Sequence, residues 1–225
     1  MILTGKIIES DETGITISAY FPDYLIEKRN IKTVEINITD GRHINAAQRK
    51  HIYATIRDIS LYTGHDTEEL KSIFKADYIA KTGEPWFSLA NVDMTTASSF
   101  LQHLIDFCLV WGIPCSNDST LLERSPDIAR FCYMSLATRT CCICGKKGAE
   151  VHHAGESRVG MGRNRNKISH LGLEAIALCV NHHRLGIKAI HSIPEKEFYD
   201  LHHVFPIRLD EYLCKKLNLK ILKGR

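Results

Sequence analysis

A chain of 225 residues that is 44% hydrophobic is long enough for one large domain or two smaller ones with real apolar cores. No apolar run approaches the roughly 18 residues a membrane helix needs, and the opening MILTGKIIESDETG lacks the basic-then-apolar order of a signal peptide, so a cytoplasmic protein with no membrane partner is expected. The formal net charge is +3, but it is unevenly spread: residues 1–125 carry 12 Lys/Arg against 17 Asp/Glu, residues 126–225 carry 17 against 9. The basic half is the one suited to a polyanion, with a merely solvated surface as the plain alternative.

KIIES, GITISAY and KTVEINI are β-branched and roughly alternating, with SDETG as turn chemistry, so a small antiparallel sheet is expected over 2–40. The period then changes. Ile52, Ile56 and Ile59 recur at helical spacing and Asn45 with Gln48 can form a capping box, predicting a helix over 45–62. DTEELKSIFKADYIAKTG predicts a second, with Leu70, Ile73 and Phe74 on its inner face and Gly83 as its stop. A third, in TTASSFLQHLIDFCLVWG, has an apolar stripe of Ala97, Phe100, Leu101, Leu104, Ile105 and Cys108 ended by Gly112. The rings of Trp86, Phe87 and Trp111 can stack on bases, although their context favours the core. PCSNDST is a polar joint, and Ser125–Pro126 offers a cap and first-turn proline for a helix to about 138. The expected division is therefore 1–122, an N-terminal α+β domain with three helices, and 123–225.

Eight cysteines in a reducing compartment point to metal ligation or catalysis before cross-linking. Cys141 and Cys144, followed by Gly145, form a C-x2-C turn that brings two thiolates to one tetrahedral ion, and Cys179 with His182 repeats the spacing 34 residues on. Soft and borderline ligands of this kind suit structural Zn2+. Cys142 is the alternative to Cys141, and Cys108, Cys115, Cys132 and Cys214 read as ordinary thiols. His152 and His153 end a short hydrophobic strand, and His183 follows His182 on a helix start. Neighbours diverge by about 100° on a helix and point oppositely on a strand, so each pair can serve two different tasks. Arg158, Arg163, Arg165 and Lys167 crowd the glycine-rich stretch GESRVGMGRNRNKISH, a loop suited to a phosphate backbone.

C-x2-C-G, a strand ending in a histidine pair, and L-C-x2-H-H opening a helix together resemble the HNH, or ββα-metal, endonucleases of a phage-type subgroup, over about 138–205. The resemblance implies a zinc-braced ββα-metal fold that hydrolyses DNA with Mg2+ or another divalent cation. It places His152 and His183 as ligands of that cation and His153 as the general base. The family's asparagine, nine residues before the helix histidine, falls on Glu174, a carboxylate that can accept the same backbone bonds but not donate as an amide does; His170 is the substitute. A further family histidine falls on Ile187. His191 is the nearest replacement, but on a continuous helix it would sit about 12 Å beyond His183, so it can join the ion only if the helix breaks, at Gly186. Otherwise it is a surface or phosphate-contacting residue. Residues 40–115 are similar to lambda Orf-type phage recombination mediators, which implies single-stranded DNA binding and a dimer. The function expected is that of a phage DNA-processing nuclease in the cytoplasm of a bacterial host, acting on single- or double-stranded DNA beside single-strand-binding or recombination proteins. The rival is a non-catalytic single-strand-binding mediator that uses the zinc fold as a platform.

Overall fold

The computed structural model describes residues 5–19, 28, 33, 41–115, 119–157, 159 and 167–222. The expected KTVEINI strand falls almost wholly outside them, as do Arg158, Arg163 and Arg165. Two compact units are present, 1–40 and 41–225. In the first, β1 (Gly5–Asp11) and β2 (Gly14–Ala19) pair antiparallel, and the Asp11 carboxylate closes the turn by accepting the Thr13 and Gly14 N–H groups at 2.7 and 3.1 Å.

The second unit is a mixed helix and sheet structure. α1 (Ala46–Thr63) starts at the expected Asn45–Gln48 capping box and ends at Gly64. α2 (Thr67–Thr82) is capped by Asp66, and α3 (Met94–Trp111) by Asp93. Ile52, Ile56 and Ile59 of α1 meet Leu70, Phe74 and Tyr78 of α2 and the predicted stripe of α3 in one buried cluster. Three details differ from expectation. Ile73 is half exposed, and Tyr78, one turn beyond Phe74, takes the inner face in its place. Trp86 and Trp111 are not core residues: they are 67% and 64% exposed. Ser125 does not cap the next helix, because its hydroxyl donates to Gln102 Oε1 at 2.9 Å; α4 (Leu121–Arg124) forms first, and Asp127 caps α5 (Ile128–Ala137).

Packing also runs straight through the expected boundary at 122/123. Leu121 is buried, and the Arg124 guanidinium, with no exposed side-chain surface, reaches back to Asp58 of α1 at 2.6 Å, to Thr55 Oγ1 at 3.3 Å and to the Ser119 carbonyl at 3.0 Å. A polar composition therefore marked a turn in the chain and not a break in its core. α5 then packs against α3 on one side and the sheet on the other. That sheet is antiparallel, in the order β3 (Glu150–His153), β4 (Glu174–Leu178), β5 (Ile207–Arg208), with His152 opposite Ile176 and His153 opposite Ala175. α6 (Glu195–His202) and α7 (Glu211–Lys216) complete the unit. Among the described residues no helix is long and apolar enough to cross a membrane.

Removing one partner of a fully buried ion pair leaves the other charge in a medium that solvates it poorly, and typically costs about 3–5 kcal/mol. Asp58→Asn is expected to lower the unfolding free energy by about that much, read by urea denaturation. A loss below about 1 kcal/mol would show that Arg124 does not brace α1 to α4.

Candidate metal centre

The first knuckle is built by a turn in which the Gly145 N–H donates to the Cys141 carbonyl at 2.9 Å and the Cys141 N–H to Lys146 at 2.8 Å, with Gly145 in the left-handed region at φ 71°. The second starts where β4 ends: Cys179 follows Leu178, and the chain winds into a five-residue π-helical turn, Asn181–Leu185. Cys141, Cys144, Cys179 and His182 meet, with all four ligand atoms within 4.8 Å of one another. Sγ of Cys144 lies 3.8 Å from Sγ of Cys179, and His182 Nδ1 lies 3.5 and 3.3 Å from the sulfurs of Cys141 and Cys179. A tetrahedral ion with metal–sulfur bonds of about 2.3 Å and metal–nitrogen bonds of about 2.0–2.1 Å requires separations of about 3.8 and 3.5 Å. The cluster therefore fits a metal such as zinc. The Cys141 thiol donates to Cys144, which with burial pushes Cys141 up to about 12 and brings Cys144 down to about 7. A cation would displace that shared proton. Cys142 is not among the four: it is fully buried, and its thiol hydrogen-bonds that of Cys132 instead.

A second cluster uses the neighbours of the first. His152 Nδ1 and His191 Nε2 each lie 3.1 Å from His183 Nε2. His191 reaches this point because the helix stops. Gly186 is extended (φ −75°, ψ 151°), its N–H closes on the Asn181 carbonyl at 2.8 Å, and a Cβ there would sit 2.7 Å from that oxygen, so glycine is required. The chain doubles back, and the Ile190 N–H donates to the His182 carbonyl at 2.9 Å. His191 thus stands beside His183 while remaining exposed at the surface, and Ile187, at 93% exposure, takes no part. These three histidines form the second set of possible metal ligands among the described residues. Nitrogens about 3.1 Å apart suit neighbouring positions around an ion bonded at about 2.1 Å.

The opposite edges of two rings are held by carboxylates that sequence reading missed. His152 Nε2 faces Glu195 Oε1 at 3.0 Å, and His183 Nδ1 faces Glu150 Oε2 at 2.5 Å. Such partners set the tautomer, leaving His152 Nδ1 and His183 Nε2 as lone-pair donors. Glu150 was findable, since it lies two residues before His152 on the same face of β3. Glu195 was not: it comes from the first turn of α6, 43 residues from its partner. Glu195 also accepts the Gly155 N–H at 3.1 Å and the Tyr199 hydroxyl at 3.1 Å. Burial lowers the His152 pKa, opposed by Glu195, which favours the neutral ring a ligand needs.

His153 stands apart from the three. It is buried, and its Nε2 lies 2.9 Å from Nδ1 of His170, which is itself buried and anchored by its N–H on the Lys220 carbonyl at 2.8 Å. His170 therefore stands against His153, where Glu174 was expected. The Glu174 carboxylate instead faces Arg208 at 3.6 Å across the sheet, because residue 174 falls on the opposite strand face from Ala175, the cross-strand neighbour of His153; its backbone carbonyl still accepts the Ala154 N–H at 2.9 Å. His153, His170, His183 and Glu150 line a cleft of about 720 Å³ together with Arg139, Arg184 and Lys220. Of the expected loop cations, Lys167 is exposed and the three arginines lie outside the described residues.

Residues 21–220 match the model of a protein family described as "Putative HNHc nuclease". The match runs through the helical layer as well as the histidine cluster, so the segment 40–115 lies within that family's own length. No curated protein and no solved structure matches the chain.

Two outcomes follow from this geometry. Cys179→Ser is expected to lower both the melting temperature and the metal content of the purified protein, read by elemental analysis; unchanged values would show that the four residues hold nothing. Glu195→Ala is expected to weaken divalent-metal binding at the three histidines by about 10–100-fold, read by calorimetric titration, and an unaltered affinity would reduce Glu195 to a tether for Gly155.

Proposed function

The chain belongs to the HNHc nuclease family, and from that premise we propose that it hydrolyses phosphodiester bonds of DNA at the histidine cluster with a bound divalent cation. The observation that carries the reading is the convergence of His152, His183 and His191 beside a fourth histidine, His153, that is held by a separate partner. Three ring nitrogens would hold the ion, with Glu195 and Glu150 fixing two of the rings. Such an ion polarises the scissile phosphate and stabilises the departing 3′ oxygen when bound. His153, aligned by His170, takes the proton of the attacking water. Arg139, Arg184 and Lys220 face the same cleft and would carry the charge of the phosphate backbone, with Lys167 and the arginines at 158, 163 and 165 extending it along the loop.

In this reading Cys141, Cys144, Cys179 and His182 hold structural zinc, which His182 shares with the cluster only through its neighbour His183. An all-imidazole set favours borderline ions such as Ni2+ or Zn2+ over Mg2+, whose preference is for oxygen ligands. The non-catalytic alternative drew its support from the family positions occupied by Glu174 and Ile187. That support weakens, since His170 and His191 stand where those two residues do not.

His153→Ala is expected to reduce metal-dependent DNA cleavage by about 10²–10⁴ while DNA affinity and metal content stay near the parent values. His183→Ala and His191→Ala are expected to lose activity that raised metal concentration partly restores. Cleavage of plasmid and oligonucleotide DNA under Mg2+, Mn2+ and Ni2+ measures all three, and a parent protein inactive with every ion would sink the proposal.

A further inference from the structure

A second cleft, of about 380 Å³, lies in the helical layer and shares no residue with the histidine cluster. Arg49 and Tyr53 of α1, Lys71 and Lys75 of α2, and the backbone of 88–90 line it. Three cations and no carboxylate face this space, in the half of the chain where carboxylates outnumber cations.

How these cations are satisfied is informative. Lys75 is only 7% exposed; its Nζ donates to the Phe87 carbonyl at 2.9 Å and lies 5.4 and 5.1 Å from the ring centroids of Trp86 and Phe87. Arg49 spends Nε on the Leu89 carbonyl at 3.0 Å and Nη2 on the Ala90 carbonyl at 2.9 Å. Lys71 pairs with Glu68, whose side chain is 71% exposed, and its Nζ lies 5.7 Å from the Tyr53 ring centroid. Neutral carbonyls and ring faces are thus the partners of the two cations that most need an anion. Burying an ammonium without a counter-charge is costly. Burial first and Lys71 second lower the Lys75 pKa, opposed by Glu68. An anion in the cleft would add to that opposing pull.

Two rings stand beside that charge. Trp86 is 67% exposed and Tyr53 42% exposed, although both are large enough to add to the core a few residues away. An aromatic ring at the rim of a cationic cleft offers a stacking face to a flat apolar group joined to an anion. A duplex hides its base faces, whereas an unpaired strand presents phosphate and base together.

We infer that this cleft is a second nucleic-acid site, which holds backbone phosphates of single-stranded DNA on Arg49, Lys71 and Lys75 and stacks an unpaired base on Trp86. It goes beyond the cleavage reading and does not depend on it, since none of its residues belongs to the histidine cluster or its cleft.

The chain has two tryptophans, so Trp111→Phe leaves Trp86 as the sole reporter. Titrating this full-length variant with a thymidine oligonucleotide, without added divalent metal, is expected to quench its emission to saturation, and more effectively than a duplex of equal length. Lys71→Ala should flatten the plot of log affinity against log salt by about 0.7, one phosphate contact on a single strand. Trp86→Ala, followed by anisotropy of a labelled oligonucleotide, should weaken binding about tenfold. Circular dichroism and melting of each variant confirm that it is folded. No quenching, or unchanged affinity and salt slope in both variants, overturns the site. Thymidine monophosphate or inorganic phosphate saturating at the oligonucleotide's concentration, or a duplex quenching as well as the single strand, overturns the strand assignment. Cleavage by the parent protein with metal is scored separately, so failure of this site and failure of the histidine cluster are told apart.

Discussion

Adjacent residues cannot point the same way, and this elementary constraint organises the histidine-rich half of the molecule. His182 turns toward three cysteines while His183, the next residue, turns toward His152 and His191. A metal gripped by Cys141, Cys144, Cys179 and His182 would therefore hold the π-helical turn against the first knuckle and, by doing so, set where His183 stands. Cys179 continues β4 directly, so the strand that registers His152 against Ile176 is tied to the same point. Closure of the first cluster by a metal would thus help fix the second. A short turn of five residues could not place a ligand to a fraction of an ångström by its own hydrogen bonds.

The second cluster combines a buried, a half-buried and an exposed imidazole. Rings that are to offer lone pairs to one ion need other groups to hold their remaining N–H protons. Glu195 and Glu150 do so for His152 and His183, and Arg184 also pairs with Glu150. His153 is kept out of this network by strand alternation and given to His170 instead. Adjacent residues of one β-strand are thereby given different partners by the two faces of the sheet.

The helical layer is part of the same unit as the site it accompanies. Asp58, Thr55 and Ser119 engage Arg124, α5 joins α3 to the sheet, and the apolar core passes through all of them. The family match extends over the same span. Within this layer the exposed Trp86 and the buried Lys75 are not explained by core packing; Lys75 lines the second cleft, and its Nζ lies 5.4 Å from the Trp86 ring centroid.

Helix positions, the α1 capping box, the two metal-type knuckles and the special standing of the histidine pairs were all legible in the chain, because periodicity, caps and ligand spacings of two or three residues are local properties. The approach of His191 to His183 depended on whether a helix stopped at Gly186. Sequence could pose that alternative, but the answer lay in the close approach of Gly186 to the Asn181 carbonyl. That His170 and not Glu174 lies against His153 turned on the strand face Glu174 occupies and on where the segment before β4 brings His170, and the placing of Glu195 and Lys75 on contacts made across 43 and 12 residues of chain. Continuity of the core across 122/123 likewise depended on Arg124 finding a carboxylate 66 positions earlier. Local spacing determines which groups are available and what they can bind. Only the folded chain, by bringing distant segments within about 3 Å of one another, decides which of them act together.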